Sequence, residues 1–104
     1  MLFQIVFTPE AENQLADIYR YLAVSASPEI AQSYTDAIVA HCEKLRTLPH
    51  RGAVRDDIRP GLRITVYRKR VVIAFVVDVP LISVIGVYSG GQDYEAALQA
   101  DRPD

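Results

Sequence analysis

Residues 59–91 read RPGLRITVYRKRVVIAFVVDVPLISVIGVYSGG, and this stretch decides the fold. Leu62, Ile64 and Val66 alternate with Arg63, Thr65 and Tyr67, the period-two pattern of a strand with one solvated face. Arg68-Lys69 reads as a tight turn. Arg70 to Val77 is almost continuously apolar and β-branched, as a central strand should be. Asp78-Val79-Pro80 reads as a second turn, and Leu81 to Tyr88 as a third strand that ends at Ser89-Gly90-Gly91. The apolar run Val71 to Tyr88 is not a membrane span, because Asp78 and Pro80 would put a charge and a helix breaker near its centre.

Working back toward the N-terminus, Leu2 to Phe7 is a short strand that leads straight into a helix. Thr8 suits the N-cap, Pro9 the first helical position, and Glu10 and Glu12 place negative charge where the helix dipole favours it. Ala11, Leu15, Ile18 and Leu22 form one apolar stripe, interrupted at Val24-Ser25-Ala26. Ser27-Pro28-Glu29 repeats the start signal. Ala31, Tyr34, Ile38, Leu45 and Leu48 form a second stripe that stops at Pro49. Two amphipathic helices with a short join predict an antiparallel hairpin, and neither buries its stripe alone, so both must lean on a sheet. Asp93 to Ala100 adds a last short helix. The expected architecture is α+β: a helical hairpin packed on a small, mostly antiparallel sheet in the order β-α-α-β-β-β, as one domain over residues 1–104.

Half of the 104 residues are apolar, enough to sustain a core. The one cysteine, Cys42, has no internal disulfide partner, and Met1 to Phe7 carries no charged-then-apolar leader, so the chain reads as cytoplasmic. The formal net charge of −2 hides an asymmetry, because seven of the eleven Lys and Arg residues fall between Arg51 and Arg70. A basic centre between acidic flanks steers an anionic partner locally without making the whole chain a sequence-specific DNA binder.

The four-residue spacing of Arg51, Arg55, Arg59 and Arg63 imitates a helical stripe, but Pro49, Gly52, Pro60 and Gly61 make this segment a loop. Arginines on a loop still converge on phosphate or carboxylate through their planar forks, and Asp56 and Asp57 are at hand to pair with some of them. His41 falls inside the second apolar stripe, which suits a structural histidine. His50 reads as a turn residue. Neither has metal-ligand spacing with Cys42, no nucleophilic triad can be assembled, and Gly90-Gly91 is too short for a phosphate loop, so no cofactor and no metal is expected. Gly90-Gly91-Gln92-Asp93-Tyr94-Glu95 has two compatible readings: a strand-to-helix turn, and a polar edge facing a partner.

Taken together, Phe7-Thr8-Pro9-Glu10-Ala11, Leu48-Pro49-His50-Arg51-Gly52, Arg59-Pro60-Gly61-Leu62-Arg63 and Gly90-Gly91-Gln92-Asp93-Tyr94-Glu95 occur in an order that resembles the RelE/ParE superfamily of bacterial type II toxins. The last two segments resemble its ParE branch in particular. The resemblance implies a small sheet under a helical hairpin, and an antitoxin with a DNA-binding N-terminal part and a tail that folds on the toxin. Two activities divide the superfamily. The RelE-like branch cleaves mRNA on the ribosome, whereas the ParE-like branch poisons DNA gyrase by binding.

For a nuclease, Arg63 and Arg70 would supply cations and Tyr94 would match the terminal tyrosine. This chain departs from that pattern at Val87-Tyr88-Ser89, where an arginine is expected, and at Thr65, where a lysine is expected on the solvated strand face. Losing one preorganised cation costs about 3 kcal/mol of transition-state stabilisation. The reading that follows is a ParE-like gyrase inhibitor without enzymatic activity. Its expected partner-binding surface is Arg55, Arg59, Arg63, Arg70, Gln92, Asp93 and Tyr94. An mRNA endonuclease, and a non-toxic interaction module or co-repressor, are the alternatives.

Overall fold

The computed structural model describes residues 3–100. Chain order is β1 (Gln4–Phe7), α1 (Pro9–Ser25), α2 (Pro28–Glu43), a 3-10 turn (Lys44–Arg46), β2 (Ala53–Val54), β3 (Leu62–Tyr67), β4 (Val71–Asp78), β5 (Leu81–Ser89) and α3 (Tyr94–Ala100). Leu2, the expected first residue of β1, lies outside the described residues. Both helix starts follow the local chemistry. Thr8 Oγ1 accepts from Ala11 N at 3.2 Å and Ser27 Oγ from Ile30 N at 3.1 Å, with Pro9 and Pro28 opening the helices.

The strands form one sheet in the order β1-β5-β4-β3-β2, antiparallel except for the parallel β1–β5 pair. The two-residue β2 is an addition to the predicted order, too short to leave a periodic signal. One face of the sheet is covered by the hairpin. Ile18 of α1 and Ile38 and Cys42 of α2 pack there against Val71, Ile73, Phe75, Ile82, Val84 and Val87. Cys42 is fully buried, and burial pushes its thiol up to about 12, so it is an inert core group. Leu48, expected in the α2 stripe, is 53% exposed, because the helix tightens into the 3-10 turn before reaching it.

The opposite face carries a second core of Ile58, Leu62, Ile64, Ala74, Tyr88 and Leu98. This corrects the expectation of a solvated face on β3. Leu62 and Ile64 are sealed by Ile58 and Leu98, while Thr65, on the hairpin side, is itself only 8% exposed and Tyr67 packs on the hairpin core. Thr65 thus packs against the hairpin rather than standing on a solvated face.

A bulge between Ala74 and Phe75 lets Tyr88 join the second core. It pairs Ala74 with Gly86 and Phe75 with Val84, so Ile85 is the extra residue and the facing of β5 shifts by one. Val87 then faces the hairpin and Tyr88 the second core.

Candidate functional site

The seven residues expected to form one surface separate into distinct neighbourhoods. The first is the seat of α3. Arg55 follows β2, and its side chain donates to Asp57 through Nε at 3.0 Å and Nη2 at 2.9 Å, to Glu95 Oε2 at 2.6 Å and to the Tyr94 hydroxyl at 3.1 Å. The hydrogen bonds from Arg55 hold the Asp57 carboxyl below its ordinary range, and those to Asp57 and Glu95 raise the guanidinium further. Arg59 Nη2 donates to the Leu98 carbonyl at 3.1 Å, and its buried Nε has no hydrogen-bond partner among the described residues. Asp93 Oδ1 accepts from Ala96 N at 3.1 Å, capping the start of α3. Arg55, Arg59, Asp93 and Tyr94 thus place α3 over the second core, with Leu98 as the apolar plug at 2% exposure.

The second neighbourhood is the rim of a cleft of about 530 Å³ between α1 and the end of β5, where Arg70 and Gln92 meet Gln14, Tyr21 and Tyr34. Here β5 runs on past the end of β1, whose last pair is Phe7–Val84. Two glutamines occupy the exposed edge. Gln14 Oε1 accepts from Val87 N at 2.6 Å and Gln92 Oε1 from Ser89 N at 2.9 Å. Capping an edge with side chains withholds it from unwanted strand pairing. No periodicity marks Gln14 for this role, since its partner lies 73 positions away.

Arg63 stands apart from both. Its cross-strand partner is Phe75, which puts it on the hairpin side of the sheet, and its Nη1 donates to the His50 carbonyl at 2.7 Å. Tyr94 packs on the other side, so Arg63 and Tyr94 occupy opposite faces. His41 is part-buried with its ring 5.2 Å from that of Tyr67. Burial first, and then Arg51 and Lys44, lower its pKa. Among the described residues no helix is long and apolar enough to cross a membrane.

Comparison with known proteins agrees with this architecture. The family model described as the ParE toxin of the type II toxin–antitoxin system parDE matches residues 5–94. A solved structure titled "Chromosomal ParDE TA system from P. aeruginosa" superposes with a TM-score of 0.73 at 26% identity, covering 85% of this chain and 96% of that one. No curated protein matches the sequence. With all of β1 but Gln4, the hairpin, the other four strands and the start of α3 inside the matched residues, the chain belongs to the ParE toxin family of type II toxin–antitoxin systems.

Proposed function

We propose that this toxin acts by binding DNA gyrase in the cytoplasm rather than by cleaving RNA, and that a cognate antitoxin silences it. The observation that carries this reading is the separation of Arg63 from Tyr94. General acid–base cleavage of a phosphodiester needs its cations and its proton-transfer group within reach of one phosphate. Here Arg63 faces the hairpin and bonds the His50 carbonyl, while the Tyr94 hydroxyl accepts from Arg55 on the opposite face.

The proposed target-binding surface is the cleft rim at Arg70 and Gln92 together with the outer face of α3. Arg55, Arg59, Asp93 and Tyr94 serve that surface by holding α3 in place, and Arg63 serves it by fixing the loop at His50. The proposed antitoxin tail covers the tip of the hairpin, where Val24 is 90%, Tyr21 71% and Ile30 54% exposed, a set of apolar side chains large enough to anchor a segment that folds on binding.

The test is gyrase supercoiling with the purified chain, scoring cleaved plasmid, beside mRNA integrity in a translation extract. Trapped cleaved DNA with intact mRNA is expected. Ribosome-dependent cutting of mRNA with unaffected plasmid would sink the reading. Arg70→Glu is the informative variant, since its exposed side chain makes no hydrogen bond or ion pair with the other described residues, and it should abolish gyrase poisoning in a folded protein.

A further inference from the structure

The hairpin turn between β3 and β4 is built from residues that its backbone disfavours. Arg68 and Lys69 are its central pair, closed by Arg70 N donating to the Tyr67 carbonyl at 3.1 Å, and their φ values are +51° and +60°. Positive φ at both central positions is the geometry in which Asn-Gly is favoured, because a Cβ crowds the backbone there. The chain places two cations in those positions and follows them with Arg70, all three exposed and none in an ion pair with a described residue, with the Arg68 guanidinium 5.4 Å from the centroid of the Tyr67 ring. Strain retained at an exposed turn points to a use for the side chains.

The surroundings say what that use is. Arg70 stands at the rim of the 530 Å³ cleft, walled by Tyr21 and Tyr34. Arg68 stands at a second cleft of about 410 Å³, walled by Tyr34 and Tyr67. Tyr34 lines both, so two tyrosine-walled clefts lie side by side, each with an arginine at its mouth. Each also holds one carboxylate, Asp17 in the first and Glu29 in the second.

We propose that this surface binds single-stranded nucleic acid without sequence preference, with successive bases entering the clefts on either side of Tyr34 and their phosphates on Arg68, Lys69 and Arg70. Aromatic walls take any base by stacking, and arginines and a lysine take the backbone. The carboxylates favour this occupant over an acidic peptide. A base presents a neutral ring beside Glu29, with Asp17 already paired to Arg20, whereas acidic side chains would bring only further acceptors and like charge. The inference stands beside the gyrase reading and does not depend on it.

The experiment is fluorescence anisotropy of a labelled oligothymidylate with the purified chain across a salt series. Saturable binding is expected, with log K falling against log salt at a slope of about −2, as roughly 0.7 per neutralised phosphate over three cations requires. The combined variant Arg68→Asn, Lys69→Gly, Arg70→Gln should lose at least about tenfold in affinity and nearly all of the salt dependence. Because Asn-Gly suits the turn, this variant should melt no lower than the parent, which separates loss of binding from loss of fold. Tyr34→Ala should weaken binding several-fold at an unchanged slope, and a duplex of the same length should bind more weakly. Absence of binding at low salt, an unchanged slope in the combined variant, or preference for a polyglutamate peptide in the same assay would each overturn the proposal. Since no gyrase is present, such a failure leaves the supercoiling result to be judged on its own.

Discussion

The guanidinium of Arg55 donates to the hydroxyl of Tyr94 at 3.1 Å, a hydrogen bond between residues 39 positions apart that ties the loop after β2 to the first residue of α3. The same guanidinium holds Glu95 at 2.6 Å and Asp57 at 2.9 Å, so one side chain clamps a seven-residue helix that is too short to be stable by itself. Arg55→Ala should therefore loosen α3 selectively. Hydrogen exchange should show the amides of Ala97 and Leu98 losing protection while those of β4 keep theirs. Protection of α3 equal to the parent would mean that Leu98 alone seats it. Leu98→Ala should cost about 2–3 kcal/mol in urea unfolding, since the side chain is fully enclosed.

A Cβ on Gly86 would lie 2.7 Å from Cζ of Tyr88, because the tyrosine ring folds back along its own strand and covers the glycine. Gly86→Ala must displace that ring, whose centroid stands 6.3 Å from that of Tyr94, from the second core. The expected cost is about 1–3 kcal/mol. Pairing it with Tyr88→Leu should recover part of the loss, and strictly additive losses in that double variant would show that ring displacement is not the cause.

Gln14 supplies the acceptor for Val87 N on an edge that β1 leaves open. Gln14→Leu keeps the helix but strands a part-buried donor, which should cost about 1–2 kcal/mol. The uncovered edge should also raise the tendency to self-associate, visible as a mass that grows with concentration. A variant as stable and as monodisperse as the parent would show that water replaces the glutamine without loss.

His41 sets a pH dependence. Its folded pKa lies below the unfolded value of about 6.5, so in the interval between the two the unfolded chain binds more protons. Stability should therefore fall as pH drops from 7 through 6.5 and level off below the folded pKa, and His41→Gln should flatten that part of the curve. The Arg55–Asp57 pair acts lower. Its contribution is complete above the ordinary aspartate range near 4 and is lost as pH falls through the depressed carboxyl value. A melting temperature constant between pH 7 and 5.5 would refute the role given to His41.

Much of this architecture was legible in short-range chemistry. Thr8-Pro9 and Ser27-Pro28 mark both helix starts because an N-cap acts on a backbone group three residues away. The three central strands are legible because β-branched runs bounded by turn residues have few other outcomes, and the turn at Arg68-Lys69 falls where it was expected. Alternation on β3 was a poorer guide. It separates two faces but does not say what covers them, and here α3 and the Ile58 loop cover one while the hairpin covers the other.

The sequence by itself thus determined the elements other than the two-residue β2 and the 3-10 turn, their order and the kinship with ParE toxins, since each rests on patterns within a few residues or on segments in a fixed order. Only the tertiary structure decided which arginines remain available. Arg55, Arg59 and Arg63 read alike as basic loop or strand residues, yet their forks are taken by Tyr94 and Glu95, by the Leu98 carbonyl and by the His50 carbonyl. Arg68 and Arg70 stay exposed at the mouths of two clefts. A guanidinium bonds whatever acceptor the fold brings within about 3 Å. Apart from Asp57, two residues from Arg55 and legible as its partner in the sequence, those acceptors come from 13 to 40 residues away, a distance over which local sequence holds no information.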